Sequence, residues 1–187
     1  MGFLDTVLGR TKPAVPNLDQ LFALPAASVT LQTSTRFEPT GVGSVCFKAA
    51  EGGAFTGLSE QVEQLLALDE GKYRQQSDSF GFTWLVRNTT AEDLDGLVTD
   101  LHAVNSSLVD AGFGAALLCT LIIFTDGAQR LGLVYLYKRG TWYLFAPTGP
   151  DRRDSALELH VKSALEQDLR IEDDLARWFP LYDAPGL

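Results

Sequence analysis

Residues 90–148 read TAEDLDGLVTDLHAVNSSLVDAGFGAALLCTLIIFTDGAQRLGLVYLYKRGTWYLFAPT, and this stretch decides the fold. Leu94, Leu97, Val98, Leu101, Val104, Leu108 and Val109 recur at three- and four-residue intervals, which lays one apolar stripe along a helix. Thr90, followed three residues later by Asp93, is placed to cap its start, and Gly112 or Gly114 to end it. Three apolar runs follow: Leu117 to Phe124, Leu131 to Tyr137 and Trp142 to Ala146. Asp126-Gly127 and Arg139-Gly140 separate them, and glycine reaches the positive φ that tight antiparallel turns need. The stretch therefore predicts a helix backing three sequential antiparallel strands. In the middle run, Leu131, Leu133, Tyr135 and Tyr137 alternate with Gly132, Val134 and Leu136, so neither face is polar. Such a strand is expected to be covered on both sides, by a second protomer or by the terminal segments.

On the amino-terminal side, Asn17 is placed to cap a short helix through Leu18, Leu21, Phe22 and Leu24. Ser28 to Thr35 and Val42 to Lys48 read as strands around a Pro39-Thr40-Gly41 turn. Glu51 to Gly57 reads as a loop and Leu58 to Leu68 as a helix, with further strands at Tyr73 to Gln76 and Phe80 to Val86. Beyond the central block, Asp151 or Asp154 caps a last helix carrying Leu157, Val161, Ala164 and Leu165. Strands in sequential runs with helices between them give an α+β class rather than alternating βαβ units. The expected architecture is a single antiparallel sheet with helices packed mainly on one face. Its order of elements resembles the YbjN and type III secretion chaperone class of folds. Residues 1–16 stand apart as an amphipathic segment with a Pro13 and Pro16 spacer, and 17–187 form one α+β domain.

Composition narrows the function. A net charge of −9 over 187 residues disfavours nucleic acid, whose phosphates are bound by clustered cations. Cys46 and Cys119, the two cysteines, fall in expected strands and read as buried, reduced thiols of a cytosolic protein. No run approaches the roughly 20 apolar residues of a bilayer span, and no secretory leader is evident. The chemistry is sparse. His102 and His160 each lie on a helix beside its apolar stripe, without the spacing of a metal or catalytic motif. No catalytic residue, metal ligand or cofactor motif emerges.

Binding features are easier to find. Lys138, Arg139, Arg152 and Arg153 are four of the fifteen Lys and Arg, and Arg152 and Arg153 fall where a helix opens, a place that disfavours cations. They are candidate contacts for an anion or an acidic partner, against the plainer reading of surface arginines in local ion pairs. Phe3, Leu4, Val7 and Leu8 form the apolar side of the amino-terminal segment, a candidate surface for a partner coiled coil or the inner membrane face. Trp178, Phe179, Leu181 and Tyr182 are too apolar for a free tail, so they dock on the protein's own core or bind a partner. A contrasting reading is a small-ligand or enzyme pocket built around His102, Asn105, Tyr135, Tyr137, Trp142 and Tyr143.

Several blocks resemble one family. They are residues 1–5 (MGFLD), 17–24 (NLDQLFAL), 96–106 (GLVTDLHAVNS), 134–141 (VYLYKRGT) and the closing 177–187 (RWFPLYDAPGL). Together they resemble PspAB, the PspA-associated proteins of actinobacteria and haloarchaea. The resemblance implies a cytoplasmic accessory protein of the envelope-stress response, linked to PspA and to HtpX-like membrane proteases. It carries over no catalytic residues.

Overall fold

In the computed structural model, which describes residues 17–48 and 73–187, the Asn17 side chain accepts the Asp19 N–H at 3.2 Å and opens a 3-10 helix, Leu18–Ala23. That turn runs directly into α1 (Leu24–Thr35), which has Pro25 in its first turn. This corrects the strand expected at Ser28 to Thr35. The β-branched residues suggested a strand, but Leu24, Ala27, Ser28 and Leu31 are buried at helical spacing. The hydroxyls of Ser28, Thr33 and Thr35 donate back to carbonyls three or four residues earlier, as helical Ser and Thr do. Arg36 ends the helix in the left-handed conformation, φ 67°, its N–H donating to Gln32 at 3.0 Å.

Six antiparallel strands follow: β1 (Glu38–Lys48), β2 (Tyr73–Ser77), β3 (Phe82–Asn88), β4 (Leu117–Thr125), β5 (Arg130–Leu136) and β6 (Thr141–Phe145), in the order β2-β3-β1-β4-β5-β6. Pro39-Thr40-Gly41 is not a turn between strands, as expected, but an irregularity within β1 where the pairing with β4 shifts register. Thr40 Oγ1 donates to the Ile123 carbonyl at 2.8 Å and accepts the Val42 N–H at 3.2 Å, so the side chain replaces ladder bonds. Gly41 takes φ 74°, and its carbonyl accepts the Thr89 N–H at 2.8 Å.

Between β3 and β4 lies α2 (Leu94–Asp110), capped by Asp93, which accepts the Gly96 N–H at 3.1 Å; Thr90 serves only one turn earlier, through its carbonyl. Gly112, at φ 88°, follows the helix end. Arg152–Arg153 pairs with Pro147–Gly149 in a two-stranded ribbon, so these arginines precede the last helix instead of opening it. Asp154 caps that helix, α3 (Ser155–Leu165), at 2.9 Å from the Leu157 N–H. The expected loop at Glu51 to Gly57, the helix at Leu58 to Leu68 and residues 1–16 lie outside the described residues.

Register separates the two faces of the sheet. A side chain at Gly43 would strike Leu97 and Leu101, Asn105 donates to Thr120 at 3.0 Å, and Arg87 pairs with Asp100, so these strand positions face α2. Helices α1 and α3 pack on each other beside it, α1 against β1 and α3 against β6. The opposite face meets the end of the chain. Tyr143 donates to the Phe179 carbonyl at 3.0 Å, the Phe145 and Tyr182 rings meet edge to face at 5.1 Å, and a side chain at Gly132 would lie 3.4 Å from Leu187. Strand β5, between β4 and β6, is buried on both faces, with a terminal segment supplying part of the second cover.

Candidate interaction surface

The carboxy-terminal path is fixed by two buried carboxylates. Glu172 is 3% exposed and accepts the guanidinium of Arg139 and, at 2.9 Å, the hydroxyl of Thr141. Burial works to raise its pKa, but those donors and the Asp174 N–H at 3.3 Å hold it below the usual carboxylate value. Its backbone N–H and carbonyl are used as well, donating to Trp142 at 2.7 Å and accepting the Trp178 indole N–H at 2.9 Å.

Glu158, 2% exposed, is the second anchor. It accepts Arg153 Nε on both oxygens at 2.9 Å and the Ala146 N–H at 2.8 Å. Here burial outweighs the hydrogen bonds and pushes the carboxyl upward. Arg153 completes its donor set on the carbonyls of Trp178 (2.7 Å) and Leu144 (3.1 Å) and stacks 4.9 Å above the Phe145 ring. One arginine therefore ties α3, β6 and the Trp178 segment together.

Among the four candidate anion contacts, Arg139 and Arg153 are thus spent on internal carboxylates, and Lys138 and Arg152 remain exposed with no ion pair among the described residues. The two candidate apolar anchors at the end of the chain also part company. Trp178 is docked, 5% exposed and 6.1 Å from the Tyr143 ring, whereas its neighbour Phe179 is 57% exposed. Phe3, Leu4, Val7 and Leu8 lie outside the described residues.

Of the proposed pocket groups, Tyr135 and Trp142 meet ring to ring at 5.2 Å and Asn105 reaches Thr120 beside Tyr135, whereas Tyr143 lies on the opposite face of the sheet. Asn105 donates to the Leu101 carbonyl at 2.8 Å as well as to Thr120, and Tyr135 donates to the Asn17 carbonyl at 2.6 Å. His102 is half-buried against the Phe22 ring at 4.8 Å, with Asp19 at 3.5 Å. His160 is exposed on α3. Cys46 and Cys119 are directly opposed across β1 and β4 and buried; their mutual contact and burial push the Cys46 thiol far upward, which keeps it protonated.

Sequence reasoning missed the exposed apolar side chains of Phe22, Val29, Phe80, Leu159 and Leu175, because exposure of a single residue leaves no periodic trace. It also missed two open grooves, neither lined by His102, Asn105 or Tyr135. One, about 660 Å³, runs past Arg130, Pro147, Pro150, Tyr182 and Leu187. The other, about 430 Å³, lies between α1 and the start of α2 beside Glu38 and Pro39.

No helix among the described residues is long and apolar enough to cross a membrane. Comparison with curated proteins and with solved structures gives no match, so the expected likeness to YbjN and type III secretion chaperone folds has no support. The family comparison does give a match, over residues 1–186: the chain belongs to the PspAB family, PspA associated protein B.

Proposed function

We propose that this protein is a non-enzymatic adaptor of the PspA envelope-stress response that binds a PspA-like coiled coil through exposed apolar side chains. Family membership over residues 1–186 carries this reading, since the family is named for association with PspA. Phe179 supports it: a ring 57% exposed beside a rigidly held Trp178 is a pre-positioned apolar contact. In this reading Phe3, Leu4, Val7 and Leu8 add a second contact, on the same partner or on the inner membrane face. The protein works in the cytoplasm, peripheral to the membrane, where an HtpX-like protease or a second copy of the chain is a further partner.

The deciding experiment is co-purification of PspA with the full-length chain under membrane stress, compared with Phe179→Asp and Phe3→Asp. The adaptor reading expects PspA to be retained by the wild type and reduced in either variant at unchanged melting temperature. Failure of the wild type to retain PspA, with or without anionic vesicles present, would refute it.

A further inference from the structure

The groove between α1 and the start of α2 combines two properties. Pro25, Val29, Pro39 and Leu94 give it an apolar lining, and Val29 is 61% exposed. Glu38, Glu92 and Asp95 also line it, and no lysine or arginine among the described residues does. The ion pairs among the described residues lie elsewhere: at Asp100, Asp19, Glu172, Glu158, Asp173 and Asp174. None of the three groove carboxylates takes part in an ion pair among the described residues.

Asp95, in the first turn of α2, and Glu92, just before its cap Asp93, have a local explanation, since negative charge at this end suits the helix dipole. Glu38 has none. It sits at the start of β1, and with the other two it surrounds the apolar lining with negative charge. Ser28, the buried hydroxyl in the lining, is already satisfied by the Pro25 carbonyl at 2.7 Å, and Gln32 adds a polar amide beside the apolar contacts of Pro25, Val29, Pro39 and Leu94. A cationic amphipathic helix fits this chemistry: leucine-like side chains over Val29 and Leu94, flanked by lysine or arginine toward the carboxylates. We propose that this groove is a docking site for a basic amphipathic helix of another protein. The inference goes beyond the adaptor reading and does not depend on PspA being the partner.

The test uses the full-length chain and a labelled synthetic peptide of leucine and lysine at helical spacing, about 14 residues or roughly four turns long. A leucine and glutamate peptide of the same pattern serves as the control. The Leu/Lys peptide is expected to bind saturably, to weaken as salt rises from about 50 to about 300 mM, and to outbind the control. A Glu38→Lys, Glu92→Lys double variant should lose about tenfold in affinity, worth roughly 1.4 kcal/mol. Val29→Ser, at an exposed site where folding is not at stake, should weaken binding while leaving the salt response intact. Equal binding of the two peptides, or unchanged binding by both variants, overturns the proposal. So does a synthetic peptide of residues 1–12 that displaces the probe with higher affinity, which would give the groove to the chain's own amino-terminal stretch. Loss of a dimer in the double variant would give it to a second copy, and also overturn it.

Discussion

The Trp178 indole N–H donates to the Glu172 carbonyl at 2.9 Å, six residues back, and this bond turns the chain so that the indole lies beside Tyr143. The same indole is shielded from solvent and its own carbonyl receives Arg153, so ring and backbone are both held. Trp178→Ala should cost ~3–5 kcal/mol, the range for removing a buried large side chain. Thermal or denaturant unfolding will check it. Phe179→Ala, by contrast, should change stability by less than ~1 kcal/mol because that ring is largely exposed.

Glu172 gives a pH dependence with a definite sign. Its folded pKa is lowered, so the carboxylate contributes stability above the unfolded value of about 4.3, and loses it as pH falls through the folded value. Stability of the wild type should decline on the acid side of about pH 4.3, and Glu172→Gln should show a shallower decline there. Measured by urea unfolding across that window, parallel curves for the two proteins would contradict the role assigned to Glu172.

Glu158 shifts the other way, raised by burial despite Arg153. A Glu with a raised folded pKa favours the folded state more as pH falls toward and through that value, so its titration opposes that of Glu172. Breaking the pair from the other side is severe: Arg153→Met strands a carboxylate that is 2% exposed and should cost ~3–5 kcal/mol at neutral pH. Changing both residues, Arg153→Met with Glu158→Gln, should recover part of that loss, which a double-mutant cycle will read directly.

Gly41 lies at φ 74°, and a side chain there would collide with the backbone of Thr89 and Thr90. Backbone atoms cannot rotate aside as a flexible side chain would. Gly41→Ala is therefore expected to destabilise by more than ~1 kcal/mol, while Gly127→Ala, at φ 92° in open space, should lose only the cost of its backbone conformation. Melting temperatures of the two variants test the difference.

The central helix and its three strands were legible because an amphipathic stripe and glycine turns are local signals: Gly127 and Gly140 both take positive φ where the turns were expected. Helix α1 was not legible, since Val29, Thr30, Thr33 and Thr35 carry strand-like propensity, and the decisive burial of Leu24, Ala27 and Leu31 is tertiary. The Pro39-Thr40-Gly41 signal marked a real break in regularity, but not whether the chain reverses there or continues through an irregular strand. Among the candidate contacts, the roles of Arg139 and Arg153 depend on Glu172, 33 residues away, and on Trp178, 25 residues away. Their local context shows only charge at a hairpin tip and near a helix start.

The outer side of β6 carries its own stopper. Trp142 donates to the Arg170 carbonyl at 2.8 Å and accepts the Glu172 N–H at 2.7 Å, with Ile171 bridged alongside in parallel. A strand arriving from another molecule finds the amide and carbonyl of Trp142 already taken, which removes the usual template for sheet extension. Two copies of this protein cannot grow into a continuous ribbon through Trp142 without first peeling residues 170–172 away. That peeling would also undo the backbone partners of Glu172, so the seal against runaway strand addition and the anchor of the chain's end are the same three residues.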